Sequence, residues 1–204
     1  MLENIHWLGH ASFRIEGARV IYIDPWKVED GEKADLILIT HSHHDHCSPE
    51  DVAKIRKEET EIVTVADCGS KFSGRVRVVA PGDKVTVHGI PVEAVPAYNI
   101  GKAFHPKANG WAGFVITVEG TRIYHAGDTD RIPEMDNMET DIALLPIGGT
   151  YTMTASEAAE AAISIAPQTA IPMHWGDIVG SKRDAERFRK RCAGKVAVEI
   201  LRVE

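Results

Sequence analysis

Residues 40–47 read THSHHDHC, four histidines and an aspartate within eight positions. Imidazole nitrogens and a carboxylate at this density form a donor set suited to Zn²⁺, with Mn²⁺ or Fe²⁺ as alternatives. The run follows ADLILI, apolar enough for a buried strand, and precedes SPEDVAKIRKEE, which carries helical signals. Ligand-type side chains therefore gather at a strand-to-helix corner. Residues two apart in an extended or turning segment point the same way, so His41 and His43 can share one ion. Asp45 and His46 follow the bend and can face a second. A solvated polar turn accounts for any one of these residues, but poorly for all five at this spacing.

Further donors sit at other strand exits. RIYHAGDTD places Asp128 just past an apolar run and a glycine, and TAIPMHWG ends such a run in His174. Alone, Asp128 reads as a turn aspartate and His174 as a buried histidine. Three strand exits ending in donors point to one site.

The elements that must position them are mostly strands. Alternating or apolar runs recur at IHWLG, SFRIEG, ARVIYID, LILIT, EIVTVA, VRVVA, KVTVHG and PVEAVPA, and again at GFVITVEG, TRIYHAG, DIALLPI, TAIPMH and VAVEILRV. Gly or Pro punctuates most joints. Hairpins are expected around Gly17 and at Gly120. Helices are expected over residues 48–59, with Ser48 as cap and Pro49 in the first turn. A second covers 154–166, where Thr154 and Glu157 stand at capping-box spacing. The third covers 181–192, ending in basic residues that suit the negative end of a helix dipole. Many strands with interspersed helices favour an α/β sandwich over a pure barrel. Residues 98–110, YNIGKAFHPKANG, form a patternless loop of a length that is usually functional.

With 204 residues, 44% of them apolar and 26% charged, the chain reads as one ordinary globular domain over 1–204. A net charge of −7 argues against nucleic acid as the main partner, since phosphate backbones are bound by clustered Lys and Arg. No apolar stretch reaches the roughly 20 residues that span a bilayer. Three cysteines without a CxxC pair read as free thiols, and no secretory signal is visible, so a cytoplasmic location is expected.

H-x-H-x-D-H, then a strand-end GDT, then a strand-end PMH, resembles the metallo-β-lactamase superfamily over nearly the whole chain. WLGHASFRI, IDP at 23–25 and YHAGDTD resemble its branch of small metal-dependent hydrolases similar to L-ascorbate-6-phosphate lactonase. The resemblance implies a four-layer αββα sandwich of two pseudo-symmetric halves with a dinuclear metal site at one edge of the sheets. It assigns His41 and His43 to a first ion, Asp45, His46 and His174 to a second, and Asp128 as the bridging carboxylate. Asp24 matches an early aspartate that orients a ligand from behind, and His10 lies on a turn near the site. One departure stands out: the family histidine after the strand ending in VPA is Tyr98 here. The nearest replacement is His105, expected to fold back onto the first ion.

The expected chemistry is hydrolysis by a metal-bridged hydroxide positioned by Asp45 and Asp128. The substrate is a small ester-like molecule, a lactone or phosphodiester. Lys102 and Lys107 flank His105 and offer an anion contact, although solvated loop charge explains them as well. His10, Tyr98 and His105 are candidates for the leaving-group acid. A homo-oligomer is compatible with the sequence. The alternative is a non-catalytic metal-binding or regulatory protein that keeps the fold.

Overall fold

The structure, a computed structural model, describes residues 1–29 and 31–204. The chain opens as an antiparallel meander of β1 (Ile5–Gly9), β2 (Ser12–Ile15) and β3 (Ile21–Ile23). It then changes to parallel pairing through β4 (Leu36–Ile39), β5 (Glu61–Thr64) and β6 (Arg75–Val78). The second sheet repeats this plan. β7 (Lys84–Val87), β8 (Ile90–Pro96), β9 (Ala112–Val118) and β10 (Thr121–His125) pair antiparallel. β10, β11 (Ile142–Pro146), β12 (Thr169–Met173) and β13 (Ala197–Val198) pair parallel. A meander followed by parallel strands, twice over, is the pseudo-symmetry expected from the sequence.

Parallel pairing needs crossovers, and helices supply them. These are α1 (Pro49–Ile55), α2 (Ala66–Gly69), α3 (Ala155–Ile165) and α4 (Lys182–Cys192). α2 packs on β6 of the first sheet, and α3 on β11 and α4 on β13 of the second, giving the αββα sandwich. The inner parallel strands are consequently covered on both faces: every residue of β4 and β11 is buried. The edge strand β6 is mostly exposed, and its two arginines keep it soluble.

Local chemistry sets the ends. Thr154 Oγ1 accepts from the Glu157 N–H while Glu157 Oε2 accepts from the Thr154 N–H, closing the capping box. α1 stops four residues earlier than expected, because the Lys57 N–H donates to Thr60 Oγ1 and turns the chain into β5. The expected final strand shrinks to Ala197–Val198. Beyond it the tail leaves the second sheet, and Val203 bridges to Trp7 of β1. No helix among the described residues is long and apolar enough to cross a membrane.

Candidate metal centre

Every donor named from the sequence lies at a strand exit on one edge of the sandwich. The carboxyl ends of parallel strands open into a crevice, which is where α/β sheets bind ligands. β4 delivers His41, and the turn after it delivers His43, Asp45 and His46. The exit of β10 delivers Asp128, and that of β12 delivers His174. The 98–110 loop folds back as expected and brings His105 to His41 and His43, with ring centroids 5.2 and 5.0 Å away. Two compact groups result, His41, His43 and His105, and His10, Asp45, His46 and His174, and a third, Asp24, His41 and His46, overlaps both from behind.

Asp128 stands between them. Its Oδ2 lies 3.2 Å from His105 Nε2 and 3.0 Å from His174 Nε2, and its Oδ1 is 3.4 Å from His46 Nε2. Gly127 makes this position reachable. Its φ of 63° turns the chain, and a Cβ there would meet the Ala112 carbonyl at 3.2 Å and Thr40 Cβ at 3.3 Å. Gly148 does the same for His174, since an added Cβ would lie 3.0 Å from His174 Nδ1.

Backing groups fix the ring tautomers. Asp24 is fully buried. Its Oδ1 accepts from the Thr40 N–H at 2.8 Å, and its Oδ2 accepts from Thr40 Oγ1–H at 2.6 Å and from His46 Nδ1 at 2.7 Å. With its proton given to Asp24, Thr40 Oγ1 accepts from His41 Nδ1 at 3.0 Å. Asn99 Oδ1 accepts from His105 Nδ1 at 3.0 Å. In all three histidines Nδ1 is tied behind, which leaves Nε2 aimed at the centre: as a lone pair in neutral His41 and His105, and facing Asp128 in His46.

Those lone pairs test whether a metal fits. His41 Nε2 and His43 Nδ1 approach to 3.1 Å. Nε2 of His46, His105 and His174 and Oδ1 of Asp128 are buried without a hydrogen-bond partner. Buried acceptors that converge and lack donors suit a divalent cation, so the residues present fit such an ion.

The electrostatics agree. Burial holds the His41 imidazole well below its ordinary range and lowers that of His43, so both are neutral at pH 7. Burial pushes Asp128 upward, but His174, His46 and His105 outweigh it and keep its carboxyl well below the usual range. His46 is the exception: burial opposes its charged form, yet Asp128 and Asp24 raise it to about 9, so in the metal-free protein it is an imidazolium paired with these carboxylates, and an arriving cation must displace its Nε2 proton.

The backbone is unusual at this edge. His10, Asp24 and His174 all adopt left-handed φ, at 50°, 46° and 59°. For a residue with a Cβ this conformation costs roughly 1–2 kcal/mol and tends to gather at functional sites. His10 is a larger participant than its sequence context signalled. It is buried, its Nε2 lies 3.0 Å from Asp45 Oδ2, and its ring lies 3.8 Å from that of His174.

Other sequence candidates fall outside. Tyr98 Oη donates to Glu134 and receives Lys107 Nζ, which turns the phenol away from the centre. Lys107 also pairs with Glu134, and Lys102 with Asp130 and the Thr152 carbonyl, so neither lysine offers a free charge to an anion. His44 is largely exposed. Cys47 is buried, as expected of a residue facing the helix packing.

A cavity of about 280 Å³ opens over the centre. His43, Asp45, His105, Asp128 and His174 line it with Phe104, Tyr151 and Ile178, and the exposed His44 stands at its rim. Phe104 and Tyr151 meet edge to face at 4.8 Å. These three walls, and Trp111, whose ring lies 4.9 Å from both His41 and His43, escaped the sequence reading. Asp67 of α2 anchors Trp111 through its indole N–H at 2.8 Å.

Comparison with known proteins finds consistent relatives. The model of the beta-lactamase superfamily domain matches residues 4–174. A UPF0173 metal-dependent hydrolase of Pyrococcus abyssi is 35% identical, over 98% of this chain and 97% of that protein. One of Thermoplasma acidophilum is 38% identical, over 98% and 96%. Among solved structures, Igni18, a metallo hydrolase from Ignicoccus hospitalis, superposes with a TM-score of 0.78 at 26% identity, covering 97% of this chain and 94% of that one. A crystal structure from Parabacteroides distasonis reaches 0.88 at 34% identity, covering 98% and 93%.

Proposed function

This chain belongs to the beta-lactamase superfamily and is a metal-dependent hydrolase, and from that premise we propose that it cleaves a small ester-like substrate, a lactone or phosphodiester, with two divalent ions, Zn²⁺ fitting best. The observation that carries the reading is Asp128, whose one carboxylate faces both donor groups. His41, His43 and His105 would hold one ion and Asp45, His46 and His174 the other, with the Asp128 carboxylate facing both groups. When bound, such ions polarise a carbonyl or phosphoryl oxygen and lower the pKa of water towards neutrality.

The chain's own residues do the rest. Asp45 faces the cavity, where Oδ2 can take a proton from an incoming water while His10 Nε2 holds the carboxylate in place. Asp24 keeps His46 aimed inward and Asn99 keeps His105 so. Phe104, Tyr151 and Ile178 exclude bulk water from one side of the reacting group. We take residues 1–204 to act as one domain. Three free, buried cysteines support a reducing, cytoplasmic setting.

The test is metal analysis of the purified protein together with a panel of lactones and phosphodiesters. Asp45→Ala is expected to lower kcat/KM by about 100-fold or more, the scale of a lost general base. Wild-type rates and metal content in both Asp45→Ala and His43→Ala would sink the proposal.

A further inference from the structure

A second cavity, of about 660 Å³, lies behind the metal centre. Its floor is the Trp7–Trp175 pair, with ring centroids 4.8 Å apart and planes tilted by 35°. Leu8, Ile200 and Leu201 complete an apolar lining. The tail that crosses from β13 to Trp7 forms one side, and α4 forms the other. Both indoles are committed to backbone: Trp7 Nε1–H donates to the His10 carbonyl at 2.9 Å and Trp175 Nε1–H to that of Pro172 at 3.1 Å. Only ring faces and edges are left for an occupant.

The rim is charged, and unevenly so. Lys27 pairs with Asp177 at 2.6 Å and Arg189 with Glu186 at 2.5 Å, which neutralises those four groups. Lys182 and Arg202 also line the cavity, and neither makes an ion pair among the described residues. In a chain of net charge −7, two spare cations over an aromatic floor are a local reversal of sign.

We propose that this cleft, which meets the metal centre only at His10, is a second ligand site for an amphipathic organic anion. Its flat apolar part lies against the half-buried Trp175 and Leu201, with the 3%-exposed Trp7 packed behind Trp175, and its carboxylate, sulfonate or phosphate meets Lys182 and Arg202. Indole faces favour planar apolar groups. The two exposed cations at the rim select an anion over a neutral analogue.

The probe is 8-anilinonaphthalene-1-sulfonate, titrated into the metal-loaded enzyme and followed by its own emission and by tryptophan quenching. Saturable one-to-one binding is expected, with the uncharged N-phenyl-1-naphthylamine binding more weakly. The exposed double variant K182Q/R202Q should weaken probe binding about tenfold, the effect of losing a charge-assisted contact. Phe104→Ala, at the mouth of the metal centre, should leave it unchanged. The proposal is overturned if the probe does not saturate, if K182Q/R202Q binds as wild type, or if Phe104→Ala abolishes binding. It is also overturned if light scattering shows a dimer that K182Q/R202Q disperses, since the cleft would then be an interface between copies.

Discussion

The donor group around His46 and His174 and the group around His41, His43 and His105 lie side by side, yet the chain builds them by different means. Each holds one half-buried donor, Asp45 in the first and His43 in the second, but the first is set by backbone corners: His10, Asp24 and His174 are fixed in left-handed conformations at strand exits, and Asp24 braces His46 from behind. The second leans on side-chain packing. His43 is half-buried, and His105 arrives on a loop held by Asn99 and the Trp111 ring. Corner geometry cannot relax without unfolding a strand end, whereas a loop can swing. The His46 group should therefore hold its ion more tightly than its neighbour.

The largest effect is expected from Asp24→Ala. It leaves the Thr40 N–H, the Thr40 hydroxyl and His46 Nδ1 buried without their acceptor. The cost is on the order of 3–5 kcal/mol in urea unfolding, with metal lost from both groups. Next comes His105→Ala, which should halve the metal content found by equilibrium dialysis while the His46 group keeps its ion. Loss of both ions together would break the contrast between the groups. Asn99→Ala frees the His105 ring and should weaken one of two binding steps by about 10-fold or more, the usual effect of removing an orienting partner.

Acidity should separate the groups in metal-free protein. The folded value of His46, about 9, lies above its ordinary 6.5, so its proton stabilises the fold below about pH 6.5 and that gain is lost as pH rises through about 9. His41 and His43 are shifted downward, so their protonation opposes folding and stability falls on the acid side. Urea midpoints in chelator should thus decline both above neutrality and in acid. A profile flat from pH 6.5 to 9 would contradict the account of His46. The smallest effect belongs to His44→Ala: this exposed ring should leave rate and metal content within about twofold, as surface changes usually do.

Strand positions were legible in the sequence because the strands are short apolar or alternating runs with Gly or Pro at most joints, and local patterning carries that information. The capping box at Thr154 was equally local. Features that depend on a distant partner were harder to read. The end of α1 is set by Thr60, and the tail's departure from the second sheet by Trp7. α2 is a single turn with no periodic stripe, so Asp67 and its hold on Trp111 went unseen. The histidine run announced itself through spacing, while Phe104, Tyr151 and Ile178 look like ordinary loop residues until three loops converge. Lys102 and Lys107 show the reverse: they flank His105 in sequence, yet Asp130 and Glu134 claim them in space.

The three left-handed corners also bear on how this chain can change. At each, glycine would relieve steric cost, but at Asp24 the three hydrogen bonds lost outweigh that relief, so a search for thermostable variants would be drawn to His10 and His174. Such variants would gain robustness by surrendering groups that converge on the centre. An engineered library screened on melting temperature alone should enrich glycine at positions 10 and 174 while keeping aspartate at 24, and its most heat-resistant members should be the least active.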